Sequence, residues 1–293
     1  MSATLAAPAA GSLVGDAAIR QRRITIGLWV IVAVSALGWA VPMIFMIFTS
    51  LKPEREIFEG TSYLPPRSLD VDNYSEAWDR GQLFRGLKNS ALISVIKVPA
   101  GLLVSSLAAF ALTRLRFAGQ RALLAVIALG AMVPIQVALG PLFNVMLDLD
   151  LLNSRFGIIL PYLAFGIPYQ VFILAGFFGA IPKDLDEAAR IDGTSNLQLY
   201  LRIILPLAKP ALAALFILDF VATWNEYAIA SVLLQHQDVW TIPLSIQNFN
   251  TQFTSLYGPL NGYIFMSVIP VLAVYVAFQK YFVSGTFAGA VKG

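Results

Sequence analysis

Cysteine is absent from the 293 residues, and histidine occurs once, as His236. The first absence excludes a disulfide framework, thiol catalysis and Cys-based zinc sites. The second leaves no histidine dyad or histidine metal site within an apolar segment, because His236 lies in a polar stretch between two apolar runs. Charge is also scarce: 13% of residues are charged against 58% hydrophobic, whereas soluble domains carry roughly 25% charged residues. No G-x4-G-K-S/T run occurs, so the chain has no phosphate cradle of its own for ATP.

In place of these the sequence offers long apolar runs, at about 25–48, 87–112, 122–143, 157–178, 210–233 and 260–282. Each approaches the roughly 20 residues a helix needs to cross about 30 Å of hydrocarbon. They predict an all-α polytopic membrane protein, a bundle of six transmembrane helices over residues 24–283. Pro42, Pro99, Pro134, Pro161, Pro168 and Pro270 fall inside the runs and predict kinks. Residues 1–23 are small and weakly apolar, with Arg20, Arg22 and Arg23 after the soft stretch rather than before it. That order argues against a cleavable signal peptide and for a disordered cytoplasmic tail. Residues 284–293 form a second, C-terminal tail.

The net charge of +3 reports orientation rather than an affinity for nucleic acid. Twelve of the Lys and Arg residues fall in the N-terminal tail, the 114–121 turn, the 183–209 segment and the C-terminus. The opposite side has Arg155 and no Lys or Arg between Leu233 and Leu260, while the 52–88 loop balances its six with seven acids. The positive-inside rule therefore puts both termini and the 182–206 loop in the cytoplasm.

That loop contains EAARIDGTSNLQLYLRIILP, Glu187 to Pro206, polar and turn-forming between apolar neighbours. Asp184 with Glu187 has the form of an N-cap and its partner, and Gly193 that of a C′ glycine, predicting a short helix over 185–192. Ser195 and Gln198 repeat the capping pattern. Leu197, Tyr200, Leu201, Ile204 and Leu205 then make an apolar face on a helix over 196–205 that stops before Pro206. Such a hairpin suits either the lipid headgroup region or the groove of a cytoplasmic partner.

The spacing favours the partner. Glu187-Ala188-Ala189, then Gly193, then Ile203, Leu205 and Pro206 reproduce the EAA-x3-G-x9-I-x-LP loop. The chain resembles the binding-protein-dependent ABC importer permeases, in particular the second permease subunit of the maltose-type carbohydrate family. Phe48–Pro53, Asn89-Ser90, Arg114–Arg121, Trp224–Tyr227 and Ser284–Gly293 add further matches. The resemblance implies that Glu187, Ala188, Ala189, Arg190, Asp192, Gly193 and Pro206 belong to a coupling helix docked on a nucleotide-binding subunit. It further implies a homologous second permease, two nucleotide-binding ATPase subunits that hold ATP and Mg, and an extracytoplasmic solute-binding protein. This chain would carry no cofactor and no catalytic residue. The cargo would be a sugar or oligosaccharide, with glycerol phosphate or a polyol as the alternative within the subfamily. The tail from Ala288 to Gly293 would either reach the nucleotide-binding subunits or fray.

Ionisable groups within the spans are costly at mid-membrane and so are candidates for function. Lys97, Asp219 and Glu226, with Asn225 and Tyr227, are candidates for a translocation pathway or gate; Asp219 and Glu226 share one helix face. The competing reading pairs Lys97 with Asp219 structurally. Outside the membrane, Trp240, Gln247, Asn248, Asn250, Gln252 and Tyr257 suit stacking on a polyhydroxyl compound, and the resemblance makes their loop a contact for the binding protein. An intramembrane enzyme would have only Lys97 as base beside Ser90, Ser94, Ser105 and Ser106, which read better as helix-packing residues. A membrane scaffold needing no ATPase completes the alternatives.

Overall fold

A computed structural model describes residues 10–59, 63–250 and 255–290, and the side chains of residues 20–59, 63–250 and 255–280. Gln252 and the ends at 1–9 and 291–293 lie outside the described residues.

The first element, α1 (Ala10–Ser50), begins inside the segment expected to be a disordered tail. Ala and Arg supply six of the fourteen residues 10–23, and both are strong helix formers. Two short helices follow, α2 (Glu54–Phe58) and α3 (Asp72–Arg80), then the long α4 (Leu83–Arg114). The third apolar run divides into α5 (Gln120–Ala131) and α6 (Ile135–Asp148), and α7 (Ile159–Ala180) comes next. The last described helix runs over Tyr257–Ala290 and takes in most of the expected C-terminal tail.

Five helices among the described residues are long and apolar enough to cross a membrane, and α5 with α6 would make a sixth. The chain is a multi-pass membrane protein. The third run departs from expectation, because its two halves meet at 98° where a proline kink was expected. Pro134 has no N–H to donate and drives the residue before it out of helical geometry, and its own backbone is extended at φ −66° and ψ 129°.

The bundle sorts its connections by end. Arg114, at the C-terminal end of α4, meets Asp186 of the 182–206 loop. At the other end, the N-terminal part of α4 meets the segment after residue 234. Asn89 Nδ2 donates to the carbonyls of Asp238 and Trp240 at 3.0 and 2.8 Å, and Arg155 Nε donates to Asn89 Oδ1 at 2.7 Å. The segment expected to contact the binding protein thus also folds back on the bundle. Its helical turns bury Val239, Ile242, Leu244 and Phe249, and Ser90 Oγ accepts from the Ile242 amide at 2.9 Å.

Asn89 is 1% exposed, and its removal would leave two carbonyls and a guanidinium short of partners. Asn89→Ala is expected to cost about 1–3 kcal/mol, read as a lower melting temperature in detergent. An unchanged melting temperature would show that water replaces the network.

Candidate functional site

Two constellations gather the polar residues, one at the 182–206 loop and one inside the bundle. The loop opens with α8 (Asp184–Ile191), whose N-cap is Lys183 without a side-chain cap bond. The expected capping by Asp184 is therefore not observed. Asp184, Asp186 and Glu187 all lie in the first turn, where negative charge complements the helix dipole without a directed cap, and Asp186 turns inward to Arg114. The other end matches expectation. Gly193 has φ +78°, its amide donates to the Arg190 carbonyl, and the Thr194 amide donates to Ala189, both at 3.0 Å. That pair of bonds is a Schellman closure, and a left-handed residue is required to make it.

The second arm starts at α9 (Asn196–Leu199), where Ser195 and Gln198 form the expected capping box. It does not stop before Pro206. The chain widens into a π-helical turn (Tyr200–Ile204), in which the Leu205 amide reaches back to the Tyr200 carbonyl, and continues through α10 (Leu205–Leu207). The wider turn accommodates a proline that cannot donate to the carbonyl four residues back. The arm then joins α11 (Lys209–Trp224), since Ala208 donates to Ile204 and Leu212 to Ala208, at 3.0 and 2.9 Å.

The apolar face also differs from the expected one. Leu199, Tyr200 and Ile204 are buried, Tyr200 against Phe110 with ring centroids 5.2 Å apart. Leu197 is 61% exposed and lies on the open side, as does Ile191 at 86%. Ala189 is buried in the chain's own core, so the expected small-residue patch reduces to Ala188. Glu187, Arg190 and Asp192 remain exposed beside these apolar side chains. Sequence reasoning passed over Arg114, whose buried guanidinium donates to the Phe178 and Ile181 carbonyls at 2.9 and 2.8 Å and stands 3.1 Å from Asp186 Oδ2. The Asp186 contact is one of charge rather than a directed hydrogen bond.

The second constellation surrounds an intramembrane cavity of about 440 Å³ bounded by α4, α6, α7 and α11. Lys97, Asp219 and Glu226 all line it, and Lys97 Nζ is ion-paired with Asp219. Asn225 and Tyr227 are exposed outside it. Tyr162 and Gln170, which sequence reasoning did not single out, line it too. Ser105 donates to Gln170 Oε1 at 2.9 Å, while Gln170 Nε2 and Asp219 Oδ2 have no hydrogen-bond partner among the described residues.

Glu226 has a definite structural task. The fifth span breaks after Trp224, and Glu226 reconnects it to α12 (Ala228–Leu233). Its carboxylate accepts from the Ile229 and Ala230 amides at 2.7 and 3.0 Å and from Tyr162 Oη at 2.6 Å. Amide donors freed by the break are thereby satisfied within hydrocarbon, as a membrane demands. Glu226→Leu removes all three bonds, and at about 1–3 kcal/mol for each donor left unsatisfied it should both destabilise the chain and impair transport. Wild-type uptake in that variant would reduce Glu226 to a replaceable packing residue.

Of the residues expected to face an external partner, Gln247, Asn250 and Tyr257 are exposed, and Trp240 and Asn248 half-buried. Gln247 Nε2 donates to Tyr227 Oη at 3.2 Å, and Asn250 Oδ1 accepts from Ser255 at 2.9 Å.

Comparison with known proteins bears on both constellations. Residues 101–286 match the family described as binding-protein-dependent transport system inner membrane component. The chain is 34% identical over 269 residues to the trehalose transport system permease protein SugB of Mycobacterium tuberculosis (strain CDC 1551 / Oshkosh), covering 90% of this chain and 97% of that one. It is 32% identical over 255 residues to the diacetylchitobiose uptake system permease protein NgcG of Streptomyces coelicolor (strain ATCC BAA-471 / A3(2) / M145), covering 86% and 82%. Its fold superposes on a chain of the crystal structure of a bacterial ABC transporter involved in the import of the acidic polysaccharide alginate. That match has a TM-score of 0.74 and 28% identity and covers 90% of this chain and 98% of the other. A loop of EAA form standing off a bundle of membrane-length helices, matched at this length, leaves one family: the chain belongs to the binding-protein-dependent transport system inner membrane components, the permease subunits of ABC importers.

Proposed function

We propose that this chain forms one half of the translocation path for a sugar or oligosaccharide. The general plan of its family applies to it: a permease pair, nucleotide-binding subunits and a solute-binding protein. In this reading the partner is a homologous second permease, two ATPase subunits bind ATP and Mg, and the 182–206 loop docks on one of them. Both termini and the loop are cytoplasmic, by the charge asymmetry. The segment from Trp240 to Tyr257 faces the binding protein.

The observation that carries the proposal is the build of the loop. Its exposed edge of Glu187, Arg190 and Asp192, beside the uncovered Ile191 and Leu197, suits a partner's groove. Its second arm runs through hydrogen-bonded turns into the fifth span. Movement of the ATPase subunits on binding ATP would reach the span as rigid-body motion, and the bundle would alternate its access.

The carbohydrate cargo rests on the relatives named for trehalose and diacetylchitobiose and on the alginate importer. Within the cavity lining, one lysine faces two carboxylates and is ion-paired to one of them. That balance favours an uncharged solute over glycerol phosphate. Of the serines an intramembrane enzyme would need, Ser90 is engaged with Ile242, Ser105 with Gln170 and Ser106 with Tyr200; Ser94 is buried without a hydrogen-bond partner among the described residues, and Lys97, the base it would use, is ion-paired with Asp219. Uptake into proteoliposomes holding the full complex and its binding protein tests the cargo. ATP-dependent accumulation of a labelled neutral di- or oligosaccharide is expected, and accumulation of glycerol phosphate alone would overturn the assignment.

A further inference from the structure

Between α7 and α8 the chain runs through only Ile181, Pro182 and Lys183, and the Ile181 backbone is extended at φ −70° and ψ 129°. A connection of that kind is a hinge unless something bridges it. Arg114 is the bridge. It comes from the far end of α4, with 1% of its side chain exposed, and it donates to the Phe178 carbonyl of α7 and to the Ile181 carbonyl at the first residue of the hinge. On the other side it faces Asp186, in the first turn of α8. A guanidinium spans both sides because one terminal nitrogen donates to the two carbonyls while the other stands against the carboxylate, a reach that the single nitrogen of an ammonium group cannot match. The cation also neutralises the carbonyl end of the α7 dipole. Asp186 is buried where Glu187 and Arg190 of the docking edge are exposed, and all three line one cavity with Arg114.

We infer that Arg114 and Asp186 are the positioning pair that locks α8 to the second and fourth spans, so that movement of the docked helix passes into those spans instead of being absorbed at 181–183. The inference rests on the coupling role of the loop given above and adds a second route to it. One arm drives the fifth span through hydrogen-bonded helical turns, and the other drives the second and fourth through the ion pair.

The chain has no native cysteine, so spin labels can be placed at Ala118→Cys and Asp184→Cys, both at exposed positions, in the full complex with cysteine-free partner subunits. The first site is on the turn after α4 and the second on α8. Distances are measured by electron paramagnetic resonance without nucleotide and in the ATP-bound state, and uptake and ATP hydrolysis are measured per assembled complex. A single narrow distribution that does not shift with nucleotide is expected. Asp186→Asn should broaden it and raise the ATP consumed per solute at least tenfold, Arg114→Lys should do the same, and Asp186→Glu should restore much of both. A distribution that shifts with nucleotide in the unsubstituted complex overturns the inference, as does an Asp186→Asn complex with narrow distances or wild-type coupling. A merely structural role would lower the yield of complex without changing ATP per solute. Failure of the underlying docking reading is separately visible, since no ATPase would then accompany the unsubstituted chain.

Discussion

Gly193→Asp is expected to leave a chain that folds and inserts yet loses at least 99% of its uptake. The position adopts a left-handed conformation with φ +78°, and a Cβ added there meets no heavy atom within 4 Å. The conformational cost is about 1–2 kcal/mol, and Asp and Asn are the non-glycine residues that bear this conformation best. The larger effect is a new carboxylate on a loop whose neighbouring edge already carries Glu187 and Asp192. A carboxylate desolvated in a partner's groove without a counter-ion costs several kcal/mol, enough to remove the docked state. Gly193→Asn isolates the charge, because it has the same shape and backbone demands. It should keep most uptake where Gly193→Asp keeps almost none. Equal loss in both would move the explanation to the Schellman turn itself.

A comparable loss is expected on breaking the intramembrane ion pair. Lys97→Met strands the Asp219 carboxylate and Asp219→Leu strands the ammonium, each 10% exposed or less. Removing one partner of a buried pair typically costs about 3–5 kcal/mol, whereas replacing both with apolar groups is often neutral or stabilising. Each single variant should therefore give little folded protein, and Lys97→Met with Asp219→Leu should recover it. Uptake by the recovered double variant then separates the two readings of these residues. Assembled complex without transport gives the pair a part in the pathway, and full transport makes it a packing device.

The helices were legible in the sequence because hydrocarbon thickness fixes their length and because charges mark their ends. Gly193 and the Ser195–Gln198 box were legible for a similar reason, since caps are local and depend on a few residues in order. What escaped is non-local or depends on degree. That Pro134 would disturb the third run could be read from the sequence, but the 98° turn depends on how α5 and α6 pack elsewhere. The π turn ahead of Pro206 was missed because helix propensity alone ends a helix there, while packing of Tyr200 against α4 carries it through. Lys97 and Asp219 could be proposed as partners because unpaired charges are rare in membranes. Arg114 and Asp186 could not, since both lie near the interface, where charge is ordinary. Glu226 was expected at a pathway or gate, and the structure adds its bonds to the broken helix, which only the break itself reveals.

The central claim is that the 182–206 loop joins this chain to an ATPase. Co-purification from membranes, with subunit stoichiometry by mass spectrometry and ATP hydrolysis of the eluted material, tests it most directly for the unsubstituted chain and for Gly193→Asp. The account predicts that the unsubstituted chain brings a second permease and two copies of an ATPase subunit, and that Gly193→Asp keeps the permease and loses the ATPase. A chain that elutes alone and stable, or a Gly193→Asp variant that retains its full complement of ATPase, would contradict it.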